Sequence, residues 1–86
     1  MHFLRSAKYL SGYEYELTFE DGIIKIVDLQ QYLTGEVFEP LNDLDFFKTG
    51  RLDPDTDTIV WENGADFSPD FLYEIGVDVA LSKKLI

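Results

Sequence analysis

The sequence contains no cysteine and a single histidine among its 86 residues. Disulfide bonds, thiolate zinc sites, iron–sulfur clusters and cysteine nucleophiles are therefore excluded, because each of them requires a thiol. The one histidine, His2, lies next to the chain terminus, where an imidazole dyad or triad would have little rigid support. We therefore expect a fold stabilised by packing alone, with no catalytic residues, no metal ligands and no cofactor.

Basic residues are also scarce. Seven lysines and arginines stand against seventeen aspartates and glutamates, which gives a formal net charge of -10 at pH 7. Such a charge repels nucleic-acid phosphates and anionic lipid headgroups within a Debye length of about 10 Å. We therefore predict no direct binding to nucleic acid or to membranes. The excess acid is compatible with a basic protein partner, but it also serves solubility alone.

Long hydrophobic runs are missing as well. No apolar stretch approaches the ~18 residues of a membrane span, and no such stretch follows the single arginine near the N-terminus. We therefore expect a cytoplasmic protein. The chain length suits one domain, and seven Phe, five Tyr and one Trp supply much of its core, since each aromatic side chain buries roughly 150 to 250 Å².

Apolar and polar residues alternate over residues 13–19, and this is the clearest local pattern of the chain. A period of two predicts a strand with one buried face. Asp21 and Gly22 then favour a hairpin with a two-residue type I′ turn, which needs positive φ at both positions. Residues 23–29 are the predicted returning strand. The side chains expected to face the core from the first of these strands are Tyr13, Tyr15, Leu17 and Phe19.

A two-residue turn sets the predicted register of this hairpin. It places Phe19 opposite Ile24 and Leu17 opposite Ile26, so that apolar residues pair with each other. The remaining apolar residues of the returning strand then share its other face: Ile23, Val27 and Leu29. Because both faces are apolar, we predict that another element covers the second face and that this strand is central in the sheet.

Two further elements are predicted in the first half of the chain, and a helix follows them. Residues 3–10 are predicted as an earlier strand and residues 30–33 as a single helical turn. The helix begins with Asn42 as its N-cap, has Asp43 and Asp45 in the first turn near the positive end of the helix dipole, and ends at Gly50.

The segment from Ile59 to Tyr73 is the most specific part of the sequence. It predicts a short strand, a tight turn and a helix with Ser68 as N-cap, since Pro suits the first helical position. Together these elements predict an α+β fold, one small domain with a mainly antiparallel sheet of about four strands and two short helices. This domain is predicted to span residues 1–76, followed by a C-terminal tail at 77–86 that is helical or frayed.

Asp53, Asp55 and Asp57 have the alternate spacing with which an EF-hand calcium loop begins. The rest of that loop does not match, because the sixth position is Thr58 instead of glycine and the twelfth is Gly64 instead of glutamate. We therefore interpret this segment as an Asp-rich turn.

Four residues of the specific segment are candidates for partner binding. Trp61 with the nearby polar residues suits an aromatic recognition patch. The alternative, which we favour, is that Trp61 packs on the sheet, Asn63 takes a positive-φ turn position and Asp66 accepts hydrogen bonds from amides near the next helix. The candidates for partner binding are Trp61, Asn63, Asp66 and Tyr73.

The order of short motifs along the chain resembles the bacterial family called domain of unknown function 2442 (DUF2442). These motifs are F-E-D-G in the hairpin, V-D-L, F-E-P-L and V-W-x-N-G-A-D-F-x-P-x-F-L-Y, and they lie between Tyr9 and Tyr73. The resemblance implies a small bacterial α+β protein without an established activity. Some longer members carry a helix-turn-helix DNA-binding domain, a role that does not transfer to this short acidic chain.

The resemblance also implies a partner. Members of the family often lie in the genome beside a second small family, domain of unknown function 4160 (DUF4160), in an arrangement similar to toxin–antitoxin pairs. A small basic protein of the DUF4160 type is therefore an expected partner. The chain itself is expected to be a monomer or a weak homodimer.

Three hypotheses of function follow. The leading one is a non-enzymatic protein-interaction module, antitoxin-like in its role. The second is a small carboxylate-based enzyme or ligand-binding domain that uses groups around Asp66 and Asp70. The third is a sensing domain related to those fused to helix-turn-helix regulators.

Overall fold

Residues 2–80 are described by a computed structural model, and they contain two sheets and two short α-helices. In chain order the elements are β1 (Leu4–Tyr9), β2 (Glu14–Phe19), β3 (Ile24–Asp28), 3₁₀ turns at Gln30–Tyr32 and Glu39–Asn42, α1 (Leu44–Phe47), β4 (Arg51–Asp53), β5 (Thr58–Val60), α2 (Pro69–Ile75) and β6 (Val77–Asp78). The first sheet is four-stranded and antiparallel in the order β1-β2-β3-β6, and β4 and β5 form a two-stranded sheet. The predicted α+β class is confirmed, and so is the internal position of the third strand.

The hairpin between β2 and β3 has a three-residue loop instead of the predicted two-residue turn. The Gly22 amide donates to the Phe19 carbonyl at 2.9 Å, and the Phe19 amide donates to the carbonyl of Ile23, not of Ile24. Gly22 has a φ of 85°, whereas Asp21 is not among the residues with positive φ. A turn followed by a left-handed glycine is the common three-residue hairpin loop. The Asp21 carboxylate stabilises it by accepting from the Ile23 amide at 3.0 Å.

The additional loop residue shifts the register by one and exchanges the two faces of β3. Leu17 lies opposite Lys25 instead of the predicted Ile26. Ile24, which the two-residue turn placed toward the core, is 38% exposed, while Val27 is fully buried. The predicted register is therefore wrong, because a slip of one residue turns every side chain of a strand to the opposite face.

A helix cap and a strand also differ from their predictions. The N-cap of α1 is Asp43, whose carboxylate accepts from the Asp45 amide at 3.0 Å. Asn42, the predicted cap, instead donates its side-chain amide to the carbonyls of Leu33 and Glu39, each at 3.0 Å. The strand β4 was not predicted, and it pairs with β5 to form a second hairpin on either side of the Asp-rich turn. A strand of three residues is too short to show the alternation of apolar and polar residues from which a strand is predicted.

Asp53 directs its polar groups to the backbone of the turn between β4 and β5. Its carboxylate accepts from the Asp55 amide at 2.9 Å, and its carbonyl accepts from the Asp57 amide at 2.8 Å. Asp57 closes the turn with a φ of 55°, a conformation that aspartate tolerates better than most residues. This is the geometry of an Asp-rich turn, as the sequence indicated.

The helix α2 follows Ser68 and starts at Pro69, as predicted, although the Ser68 side chain makes no capping hydrogen bond. Gly76 follows α2 with a φ of -70°. Val77 and Asp78, which the sequence assigned to the tail, pair with β3 and complete the larger sheet. Residues 81–86 of the predicted tail lie outside the described residues.

The core is an aromatic cluster linked by a small buried hydrogen-bond network. The Phe47 carbonyl of α1 accepts from the Tyr15 hydroxyl at 2.6 Å and from the Trp61 indole nitrogen at 2.7 Å. The same hydroxyl accepts from the Gly50 amide at 3.1 Å. Buried polar atoms that all have partners make the packing specific. The fully buried side chains around this network are Tyr15, Leu17, Phe19, Val27, Leu29, Leu41, Phe47, Ile59 and Leu72.

The Tyr15 hydroxyl predicts an alkaline loss of stability. Burial raises the pKa of Tyr15 to about 12, because the phenolate would be desolvated, although the Gly50 amide partly opposes this effect. The unfolded chain has the ordinary pKa of about 10. Because the folded-state pKa is the higher one, the stabilising contribution of the neutral phenol is complete below pH 10 and is lost as the pH rises from 10 to 12.

Urea unfolding followed by circular dichroism at several pH values tests this prediction. The free energy of unfolding of the wild-type protein should fall between pH 10 and 12, and Tyr15→Phe should fall less steeply in the same interval. An identical pH dependence in the two proteins would contradict the assignment.

Candidate functional site

Trp61, the first candidate of the specific segment, lies in the core. Its side chain is 2% exposed, and its ring centroid lies 5.7 Å from that of Phe47 and 6.0 Å from that of Tyr15. Together with the indole hydrogen bond to the Phe47 carbonyl, these contacts show that Trp61 packs on the sheet. It therefore offers a partner almost no surface.

Asn63 and Asp66 occupy the turn between β5 and α2. The Asn63 side chain accepts from the Ala65 amide at 3.1 Å and donates to the Val37 carbonyl at 2.9 Å, which attaches a distant loop to the turn. The left-handed position belongs to Gly64, with a φ of 89°, so its expected assignment to Asn63 is wrong. Asp66 is exposed and its backbone forms an isolated bridge with Val60.

Tyr73 belongs to a different group of side chains from Trp61. Its ring stacks on His2 at a centroid distance of 3.6 Å, and the Lys25 ammonium lies 3.7 Å from the ring centroid. The Tyr73 hydroxyl donates to the Asp21 carboxylate at 3.2 Å, and the Lys25 ammonium donates to the Tyr73 carbonyl at 2.5 Å. Desolvation, together with the Asp21 carboxylate, raises the pKa of Tyr73. The phenol is therefore neutral near pH 7, and the group attaches α2 to the hairpin.

The surface that stands out is the face of the larger sheet that points away from the aromatic core. Residues directly opposite each other in neighbouring strands share a face. Ile26 lies opposite Glu16 on β2 and opposite Val77 on β6, and Ile24 lies two residues before Ile26 on the same face. Val77 is 60% exposed and Ile24 is 38% exposed, while Ile26 is partly exposed. We name Ile24, Ile26 and Val77 the outer apolar patch.

Carboxylates border this patch on β2 and at the end of β3. Glu14 and Asp28 lie opposite each other, and Glu16 lies opposite Ile26, so all three share the face of the patch. We name Glu14, Glu16 and Asp28 the acidic flank. Among residues 2–80 an ion pair within 4.0 Å occurs only between Lys48 and Asp45. None of the three carboxylates of the acidic flank makes such an ion pair with a described residue, and the exposed Lys8 of β1 lies opposite Glu16 on the same face.

The outer apolar patch was not predicted, because the predicted register of β3 was wrong and another element was expected to cover its second apolar face. The relevant signal was present, since apolar residues occupy both faces of that strand. Which face is exposed depends on whether Glu20 belongs to the loop, as it does here, and the apolar residues of the strand are the same in both cases.

Two open clefts lie near this face. One, of about 320 Å³, adjoins the patch at Ile24 and is lined by Gly22, Ile23, Ile24, Asp78, Val79 and Ala80. The other, of about 500 Å³, is lined by Asp28, Gln30 and Gln31. Asp66 and Asp70, the carboxylates of the second hypothesis, line neither cleft, and the Asp70 carboxylate accepts from the His2 amide at 3.1 Å.

Fold and surface together define a small acidic α+β domain whose outer sheet face carries an apolar patch beside three carboxylates. The chain belongs to the DUF2442 family, described as a protein of unknown function, whose family model matches residues 4–78. The resemblance noted in the sequence is thereby confirmed. No curated protein and no solved structure matches the chain. Within residues 2–80, no helix has the length and hydrophobicity to cross a membrane.

Proposed function

We propose that this protein is a non-enzymatic protein-interaction module that binds a small basic protein through the outer apolar patch and the acidic flank. The observation that carries the proposal is the exposure of Val77 and Ile24, 60% and 38%, on a sheet face that also carries three carboxylates. Contiguous apolar residues on a surface, bordered by polar ones, are typical of interaction sites.

Charge and hydrophobicity contribute differently to this interaction. The net charge of -10 attracts a basic protein and accelerates its association, and this effect weakens as salt is added. Burial of the patch would slow dissociation, because apolar surface removed from water stabilises a complex. The combination favours a partner that is basic overall and presents apolar residues at the contact.

The partner that we propose is a small basic protein of the DUF4160 type, and the role is antitoxin-like. The resemblance of the sequence implied both. The patch and its acidic flank support an interaction with a basic protein, because carboxylates and exposed apolar side chains lie together on one face. Carboxylate chemistry at Asp66 and Asp70 has less support, since Asp70 already holds the His2 amide and neither residue lines a described cleft.

Capture from cells of the source organism, with Val77→Lys compared with the wild-type protein, tests the proposal. We expect the wild-type protein to retain one basic protein, identified by mass spectrometry, and Val77→Lys to retain at least about tenfold less. The substitution removes apolar surface and introduces a charge that repels a basic partner, at a side chain that is 60% exposed.

The matched control is Leu44→Lys, which makes the same charge change at a residue that is 41% exposed on α1. It should retain the partner as the wild-type protein does, and circular dichroism should show that all three proteins are folded. The proposal fails if no stable basic partner is retained, or if both variants lose it equally.

A further inference from the structure

We propose that the partner places an amphipathic α-helix with a basic flank on the outer apolar patch, an inference that rests on the proposed function. A sheet can receive a protein segment in two ways, either along an edge strand or across a face. In this protein both edges of the larger sheet are poorly suited to an added strand, whereas its outer face suits a helix.

The edge at β6 is too short to hold an added strand. Strand addition derives its affinity from a series of main-chain hydrogen bonds. β6 contains two residues, Val77 and Asp78, and the residues that follow, Val79 and Ala80, already have helical backbone geometry. The edge therefore cannot continue in extended form past Asp78, and an added strand would form few hydrogen bonds.

The edge at β1 is unsuitable for a basic strand for another reason. Arg5 and Lys8 of β1 are exposed, and an incoming basic strand would meet these like charges. The start of this edge is also occupied, because the Leu4 amide donates to the Asp57 carbonyl at 3.0 Å. Charged residues on an edge strand commonly prevent pairing with another chain.

The open face has dimensions that suit a helix. Ile24 and Ile26 are two residues apart on one strand, a separation of about 7 Å. Val77 lies opposite Ile26 on the neighbouring strand, at about 5 Å between the β-carbons. Residues at i and i+3 or i+4 of a helix are also ~5–6 Å apart. Two turns of a helix can therefore place apolar side chains over all three residues of the patch.

The acidic flank selects the charge of that helix. Glu14 and Glu16 lie beside the patch on β2, and Asp28 lies at the end of β3, two residues after Ile26. A helix over Ile24 and Val77 would direct the side chains on one of its flanks toward these carboxylates. Lysine or arginine at those positions would pair with them, and their long aliphatic stems would extend the apolar contact. A second copy of this chain would instead bring another charge of -10 to the same face.

Synthetic peptides test the inference. The first probe is a lactam-stapled helix with leucines at i, i+3, i+4 and i+7 and lysines along one flank. The second has the same sequence except that two central residues are replaced by proline, which prevents a helix, and the third carries glutamate in place of lysine. Fluorescence anisotropy measures affinity, and ¹⁵N NMR titration locates the contact.

We expect the stapled basic helix to bind at least about tenfold more tightly than either of the other peptides, with amide shifts in β3 and β6. Val77→Lys should weaken this binding at least about tenfold, and Leu44→Lys should leave it within about twofold of the wild-type value. If the proline peptide binds the same strands as tightly, the helical mode is overturned and the proposed function stands. If neither basic peptide shifts these strands, the inference also fails, and the capture experiment judges the proposed function separately.

Other occupants of the patch would also overturn the inference. Shifts in β3 and β6 that grow with protein concentration, without peptide, and that vanish in Val77→Lys would identify a second copy. Nuclear Overhauser contacts between residues 81–86 and the Ile24 methyl groups in the free protein would identify the end of the chain itself.

Discussion

Replacing Trp61 with alanine is expected to lower the free energy of unfolding by about 3 to 5 kcal/mol, the usual cost of deleting a large buried aromatic side chain. The indole is 2% exposed and contacts Tyr15, Phe47 and Phe67 edge-on or tilted. Its removal also takes away the hydrogen bond that the indole nitrogen donates to the Phe47 carbonyl. Small domains have a total free energy of unfolding of about 5 to 15 kcal/mol, so a loss of this size can unfold a large fraction of the molecules.

Urea unfolding followed by far-ultraviolet circular dichroism measures this loss. Trp61→Phe is the matched variant, because it keeps an aromatic ring but removes the indole donor, and we expect it to lose about half as much or less. The result also separates the two interpretations of Trp61. If Trp61→Ala kept wild-type stability but no longer retained the partner, Trp61 would be a recognition residue and our assignment of it to the core would be wrong.

Gly50→Ala is the second substitution with a large expected effect. A β-carbon at Gly50 would lie 2.8 Å from Cε2 of Trp61 and 2.8 Å from the Tyr15 hydroxyl oxygen. Neither neighbour can move freely, because both groups donate to the Phe47 carbonyl. Overpacking of this kind typically costs about 1 to 3 kcal/mol, and two rigid neighbours place Gly50→Ala toward the upper end.

Gly35→Ala provides the control for this substitution. Its added β-carbon would meet no atom within 4 Å, but its φ of 91° makes any side chain strained. Both variants should be less stable than the wild-type protein, but Gly50→Ala alone should change the tryptophan fluorescence, because it displaces the indole. Unchanged fluorescence in Gly50→Ala, with wild-type stability, would show that the chain relieves the contact at little cost.

Local patterns were sufficient wherever one short segment determines its own conformation. The alternation over β2 predicted a strand whose inner residues Tyr15, Leu17 and Phe19 are all fully buried. Pro69 after Ser68 correctly marked the start of α2, because proline suits the first turn of a helix in any context. The motifs in the same segment were specific enough to identify the family.

Local patterns failed where two conformations have similar local energies. Asp21 and Gly22 are compatible with both a two-residue and a three-residue loop, and only the pairing of whole strands chooses between them. In this protein the longer loop buries Val27 and Leu29 and leaves Ile24 exposed. The outer apolar patch, which carries the proposed function, depends on that choice.

The sequence by itself determined the α+β class, the position of the hairpin, the start of α2 and the family, because each depends on residues close together in the chain. Only the tertiary structure decided which face of β3 is open, that Val77 extends the sheet as β6, and that Trp61 is covered. Each of these features depends on contacts between segments that are distant in the chain. All three form together because they bury the same aromatic core.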